Sequence, residues 1–116
     1  IDMEYDADMG RLLRILDRYD FLDLYLTTIP EDFKLRAKKI KNYKNIFVLS
    51  REDITLSKVG RYSEKDIEDI SILMETADRK LISKLIDNVL NRNNISERVK
   101  EVFIMNLKIF RERFNV

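Results

Sequence analysis

Phe21-Leu22-Asp23-Leu24-Tyr25-Leu26-Thr27 decides the reading of the fold. Its alternation sends Leu22, Leu24 and Leu26 to one side of an extended chain and Phe21, Asp23 and Tyr25 to the other. The stretch predicts a strand with an acid planted in its middle. Upstream, Ile1, Met3 and Tyr5 alternate with Asp2, Glu4 and Asp6 in the same period of two, which predicts another strand with one acidic face. Between them, Met9, Leu12, Leu13, Leu16 and Tyr19 recur at the spacing of an amphipathic helix. If the two strands are neighbours, that helix is their crossover.

Downstream, Pro30 opens a segment in which Phe33, Ala37 and Ile40 carry the buried side of a helix predicted to run to about Tyr43. Ile46-Phe47-Val48-Leu49 is a short continuous apolar run that reads as a covered strand. From Ser50 onward the pattern is helical. Ser50 caps a helix carrying Ile54 and Val59, with Gly60 predicted in the left-handed conformation after it. Ser63 caps a helix striped by Ile67, Ile70, Leu73 and Met74, and Asp78 heads another that ends in the polar stretch 91–94. Ser96 caps the last, whose stripe includes Phe103, Phe110 and Phe114. The expected class is α/β (α+β): a mixed sheet of about three strands with helices in residues 1–50, then a helical region, 51–116, packed on it as one domain.

The 116 residues, 45% of them hydrophobic, suit one compact domain. Lys and Arg number 22 against 21 Asp and Glu, so the global charge gives no reason to expect nucleic acid or an anionic membrane as partner. Cysteine and histidine are both absent. That removes disulfides, Ser/His and Cys/His nucleophilic arrangements, and most transition-metal sites. Chemistry falls to carboxylates, Lys, Arg, Ser, Thr or Tyr. No stretch approaches the roughly 18 to 20 apolar residues that span a bilayer, so the reading is a soluble, cytoplasmic protein without a membrane segment.

Residues two apart on a strand project to the same face with Cα atoms about 7 Å apart, so Asp2 and Glu4 could both reach one ion, and Asp23 could join them from the neighbouring strand. Hard oxygen ligands of this kind suit Mg²⁺, whose remaining positions go to substrate phosphates and water. Phosphoryl or nucleotidyl transfer asks for little beyond such metal positioning, so it can proceed without His or Cys. The plainer alternative is that Asp2 and Glu4 are solvent-facing acids of an edge strand and Asp23 pairs with a nearby Lys or Arg.

Asp2-Met3-Glu4-Tyr5, a single helix, and Phe21-Leu22-Asp23-Leu24-Tyr25-Leu26 resemble the carboxylate-bearing strands of the minimal nucleotidyltransferase fold. The stretches Ile29 to Ala37, Ile46 to Asp53, and Lys58 through Arg61 to Lys65-Asp66-Ile67-Glu68-Asp69-Ile70 are similar to bacterial nucleotidyltransferase-like proteins of toxin-antitoxin or abortive-infection modules. The resemblance covers about residues 1 to 75. It implies transfer of a nucleotidyl group from a Mg²⁺-bound nucleoside triphosphate to a protein or small acceptor. Asp2, Glu4 and Asp23 would ligate the metal, and Asp23 would also be the base for the acceptor hydroxyl. Lys58 and Arg61 are candidates to reach a nucleotide phosphate. Two departures stand out: Glu4 takes the place of an Asp, and the family's Gly-Ser phosphate-binding motif has no counterpart among the two glycines, Gly10 and Gly60. The expectation is that this motif lies upstream of Ile1 and that the fragment alone is not competent. The rival reading is a non-catalytic interaction module, antitoxin-like, that binds a protein partner such as a toxin or a second copy of itself.

Two charged stretches remain. Lys34, Arg36, Lys38, Lys39, Lys41 and Lys44 place six cations in eleven residues without an acid; a solvated helix face is the reading preferred to a phosphate-backbone contact. Lys58, Arg61, Lys65, Asp66, Glu68 and Asp69 form a dense mixed-charge region in which Asp66 and Asp69, three apart, can share a helix face with Lys65 or Arg61; a structural ion-pair network joining the two halves is preferred here to a catalytic role. The Phe103, Phe110, Phe114 stripe reads as core.

Overall fold

Ser50 is extended at φ −68°, ψ 154°, and its hydroxyl oxygen accepts the Asp53 amide at 3.0 Å, which starts α1, Arg51–Val59. The same device starts the next helix. Ser63 accepts the Asp66 amide while the Asp66 carboxylate accepts the Ser63 amide, a reciprocal capping box that opens α2, Glu64–Leu73. Asp78 accepts the Lys80 and Leu81 amides at the head of α3, Arg79–Leu90, and Ser96 accepts the Val99 amide at the head of α4, Glu97–Phe114. All four predicted caps are in place. The structure, a computed structural model, describes residues 24–39 and 47–116.

The four helices pack around one apolar cluster. Leu56 and Val59 of α1, Ile70 of α2, Ile82, Ile86 and Val89 of α3, and Phe103 and Phe110 of α4 are all fully buried in it. Phe114 packs against its edge, its ring centroid 5.3 Å from that of Phe110, so the aromatic stripe of α4 does face the core.

The α/β (α+β) expectation of a mixed sheet of about three strands is corrected. Among the described residues the architecture is helical, and the only ladder is two residues long: β1, Lys38–Lys39, antiparallel to β2, Phe47–Val48. The predicted strand at residues 1–5, the helix after it, and Phe21, Leu22 and Asp23 lie outside the described residues. The remainder of the second predicted strand, Leu24–Leu26, is a 3-10 turn. Its hydrogen-bond acceptors show why. The Leu24 carbonyl accepts Arg92 Nη2, the Tyr25 carbonyl accepts the Ser96 amide at 2.8 Å, and the Thr27 and Ile29 carbonyls accept Arg92 Nη1 at 2.8 and 2.9 Å. The acceptors that a strand would offer to a neighbour are taken by the connection between α3 and α4.

Over its described residues the helix predicted to run to about Tyr43 is likewise replaced, by a 3-10 turn at Phe33–Leu35 followed by β1; residues 40–43 of that prediction lie outside the described residues. A continued helix would stack the positive charges of Lys34 and Lys38, four residues apart, and like charges at that spacing oppose helix formation. Gly60 is right-handed at φ −60°, not left-handed as predicted; the left-handed residue is Tyr62, at φ 53°.

Candidate functional site

The end of α1, the segment following residue 23 and the first turns of α4 meet at a cavity of about 390 Å³, within the roughly 300 to 1,000 Å³ of typical ligand pockets. Leu26, Thr27, Thr28 and Ile29 form one wall, Ser57, Lys58, Gly60 and Arg61 a second, and Arg98, Val99 and Val102 a third. The lining is mostly apolar, with three cations set into it.

Each wall has a local cause. The 26–29 segment is held by Arg92, a buried guanidinium that has carbonyls rather than carboxylates as acceptors. Burial pulls the pKa of Arg92 below the ordinary arginine value, against a small upward pull from Glu31. Thr28 is pinned to α1, its hydroxyl donating to the Leu56 carbonyl at 2.7 Å. Gly60 permits this approach: a Cβ there would lie 2.3 Å from Thr28 Oγ1. On α4, Arg98 and Val102 are four residues apart and share the face that turns to the cavity.

Lys58 and Arg61 are anchored from behind. The Lys58 ammonium donates to Asp69 Oδ2 at 3.0 Å and lies 3.7 Å from Asp66 Oδ1. Arg61 forks onto Asp66, Nε to Oδ2 at 3.0 Å and Nη2 to Oδ1 at 2.7 Å. Asp66 is fully buried and also accepts the Ser63 amide and hydroxyl. Burial alone would raise its pKa, but the bonds from Arg61 and Ser63 outweigh it and hold the carboxyl well below the usual carboxylate range. The Arg61 guanidinium is correspondingly pushed up, first by its bond to Asp66. Of the predicted mixed-charge stretch, Lys58, Arg61, Asp66 and Asp69 form the ion pairs, Arg61 rather than Lys65 being the partner of Asp66, and Lys58 and Arg61 also line the cavity.

A second buried network braces the entrance to α1. Arg36 forks onto the fully buried Asp53 at 2.9 and 2.8 Å and reaches Asp32 at 2.6 Å. The Asp53 bond is the first of the causes that push the Arg36 pKa up. Asn88 of α3 ties in the same loop by accepting the Glu31 amide at 2.9 Å.

Of the predicted site residues, Lys58 and Arg61 come together on one wall. Asp2, Glu4 and Asp23 lie outside the described residues, so their convergence is not on view. Among the described residues no group of three or more acids is placed to hold a metal ion. The buried carboxylates that are described do not fit Mg²⁺, since Asp53 and Asp66 are already occupied by arginine forks. Sequence reading missed Arg98 and Arg92; the i, i+4 pairing of Arg98 with Val102 on a capped helix was the available signal for the first, and nothing local marked the second.

Residues 1–114 match the family model described as "Nucleotidyltransferase of unknown function (DUF6036)". Comparison with curated proteins and with solved structures gave no match.

Proposed function

The chain belongs to that nucleotidyltransferase family, and from this premise we propose that in complete form it transfers a nucleotidyl group from a nucleoside triphosphate to a hydroxyl of a protein or small acceptor, the hydroxyl oxygen bonding to the α-phosphorus as the α–β anhydride bond breaks and pyrophosphate leaves. The supporting observation is the composition of the cavity. Leu26 to Ile29, which begin three residues beyond Asp23 in sequence, share it with Lys58 and Arg61. A site that joins the stretch following the proposed base to two fixed cations suits a phosphate-bearing substrate. In this reading Lys58 and Arg61 orient the phosphates, and Asp23 accepts the proton of the attacking hydroxyl. Bound Mg²⁺, with Asp2, Glu4 and Asp23 as its ligands, supplies charge neutralisation on the triphosphate. The bacterial toxin-antitoxin or abortive-infection setting belongs to the same proposal and draws only on the sequence resemblance.

The test is transfer of label from α-³²P nucleoside triphosphates with Mg²⁺, using the chain and an upstream-extended form, each with and without Asp23→Asn. Labelled product that disappears in Asp23→Asn supports the reading. Absence of both nucleotide binding and label transfer in the extended form overturns it.

The second reading, a non-catalytic interaction module, draws on exposed Ile104, Met105 and Ile109 of α4, which are 50%, 69% and 55% accessible. Light scattering across a concentration series separates a self-associating chain from a monomer, and Met105→Lys would abolish self-association made through this face.

A further inference from the structure

The cations of the cavity are not equivalent. Lys58 stands within ion-pair distance of both Asp66 and Asp69, and Arg61 commits Nε and Nη2 to Asp66, so two positive and two negative side chains nearly cancel behind that wall. Arg98 has no ion-pair or hydrogen-bond partner among the described residues, and it lines the same cavity from the opposite element. Among the described residues, Arg98 is thus the cavity cation whose charge no carboxylate offsets. Around it the lining is apolar, from Leu26, Ile29, Leu49 and Val102, with the Thr27 and Ser57 side chains interspersed. Such a lining suits an anion that carries an apolar or aromatic body, and a bare ion would leave most of the cavity unfilled.

We propose that this cavity binds an organic phosphate, with Arg98 as the residue that holds the phosphate and the apolar walls receiving the body. The proposal deepens the nucleotidyltransferase reading by naming a binding residue outside the acidic stretches and the Lys58 to Ile70 run that carry the resemblance. Lys58 and Arg61, their charge largely offset by Asp66 and Asp69, orient the phosphate from the facing wall and leave the tighter grip to Arg98. A guanidinium is suited to the task because its planar fork matches two phosphate oxygens, which a lysine ammonium contacts only as a point charge.

The experiment is calorimetry on the chain with adenosine monophosphate, adenosine and inorganic phosphate as separate probes. Wild type is expected to bind the monophosphate more tightly than either part alone, with affinity falling as salt rises. Arg98→Ala should weaken monophosphate binding about tenfold or more, the scale of one charge-assisted hydrogen bond, while leaving adenosine binding unchanged. Arg98→Lys should recover part of the loss, and Val102→Trp, which fills the cavity from its apolar side, should weaken adenosine and the monophosphate alike. Arg98 is exposed, so loss of folding is not an expected complication, and circular dichroism of each variant checks it. Unchanged monophosphate affinity in Arg98→Ala overturns the proposal, as does equal weakening of adenosine by that variant, or wild type that binds neither the monophosphate nor phosphate. Binding that depends on Arg98 in a protein unable to transfer label leaves this site standing and removes the transfer reading instead.

Discussion

Gly60 and Thr28 touch so closely that a single methyl group cannot be placed between them: a Cβ on Gly60 would lie 2.3 Å from Thr28 Oγ1 and 2.8 Å from its Cγ2. Two effects oppose each other in Gly60→Ala. At φ −60° the backbone is one that alanine favours, which alone would stabilise by about 0.4 to 1 kcal/mol through the unfolded chain. Overpacking against a buried side chain that is itself bonded to the Leu56 carbonyl costs about 1 to 3 kcal/mol. The steric effect should win, and thermal or urea unfolding should show a net loss of about 1 to 2 kcal/mol. Thr28→Ala added to Gly60→Ala removes the clashing atoms and should return part of it. A Gly60→Ala protein as stable as wild type would show that the wall of the cavity is looser than this contact implies.

Asp66 makes stability depend on acid. Its folded pKa is depressed below the unfolded value of about 3.9, so the stabilisation it contributes is complete above about pH 4 and is lost as pH falls below that point. Asp66→Asn should abolish this acid-sensitive component and also lower stability at neutral pH, because it leaves the buried Lys58 with Asp69 alone and unpairs the Arg61 fork. Removing one partner of a buried pair costs about 3 to 5 kcal/mol, and the 74% exposure of the Arg61 side chain argues for the lower end. Urea unfolding of both proteins from pH 7 to pH 2 makes the comparison; curves that stay parallel over the whole range contradict the assignment. Asp32, also held low first by its Arg36 bond, leaves a smaller acid response in both proteins.

The helical half was legible because its signals are local. Ser50, Ser63, Asp78 and Ser96 each bond an amide two or three residues away, so short-range sequence is enough to locate them. The Lys58, Arg61, Asp66, Asp69 network was readable for a similar reason, since its members are spaced on adjoining turns. The sheet was not legible, because alternation at Leu22, Leu24 and Leu26 tells which way side chains point and says nothing about what accepts or donates to the backbone. That is decided by Arg92, more than sixty residues away. Gly60 misled for a different reason: a glycine after a helix commonly takes the left-handed turn, yet here it is needed for space, and the left-handed backbone falls on Tyr62. As for the candidate site, two of its cations were predicted, but the third wall required knowing that α4 begins beside α1.

Arg36 and Asp53 should prove intolerant of a conservative change. Asp53 is fully buried and takes two bonds from one guanidinium, a geometry that a lysine cannot reproduce. Arg36→Lys should therefore lose about 1.5 to 3 kcal/mol, the scale of one charge-assisted bond, and Arg36→Met about 3 to 5 kcal/mol because the Asp53 carboxylate is left with only the bond donated by the Ser50 hydroxyl. Denaturant unfolding should rank wild type, Arg36→Lys and Arg36→Met in that order. Equal stability of the last two would mean that the fork adds nothing beyond charge.

Arg92 links stability to the shape of the cavity. Its guanidinium is buried and satisfies the carbonyls of Leu24, Thr27 and Ile29 while also contacting Asn94, so one side chain orders the wall that faces Lys58 and Arg98. In Arg92→Lys a single ammonium cannot reach all of these acceptors, and in Arg92→Met none is satisfied. Each buried carbonyl left without a donor costs about 1 to 3 kcal/mol, less where water enters through the cavity. The Met variant should accordingly lose several times more stability than the Lys variant. The segment-specific readout is hydrogen exchange. Exchange in the peptide spanning residues 24–29 should accelerate in Arg92→Lys under conditions where α2, which contributes no residue to the cavity, keeps its protection. Uniform acceleration across all helices would instead make Arg92 a general determinant of stability, with no particular hold on the cavity wall.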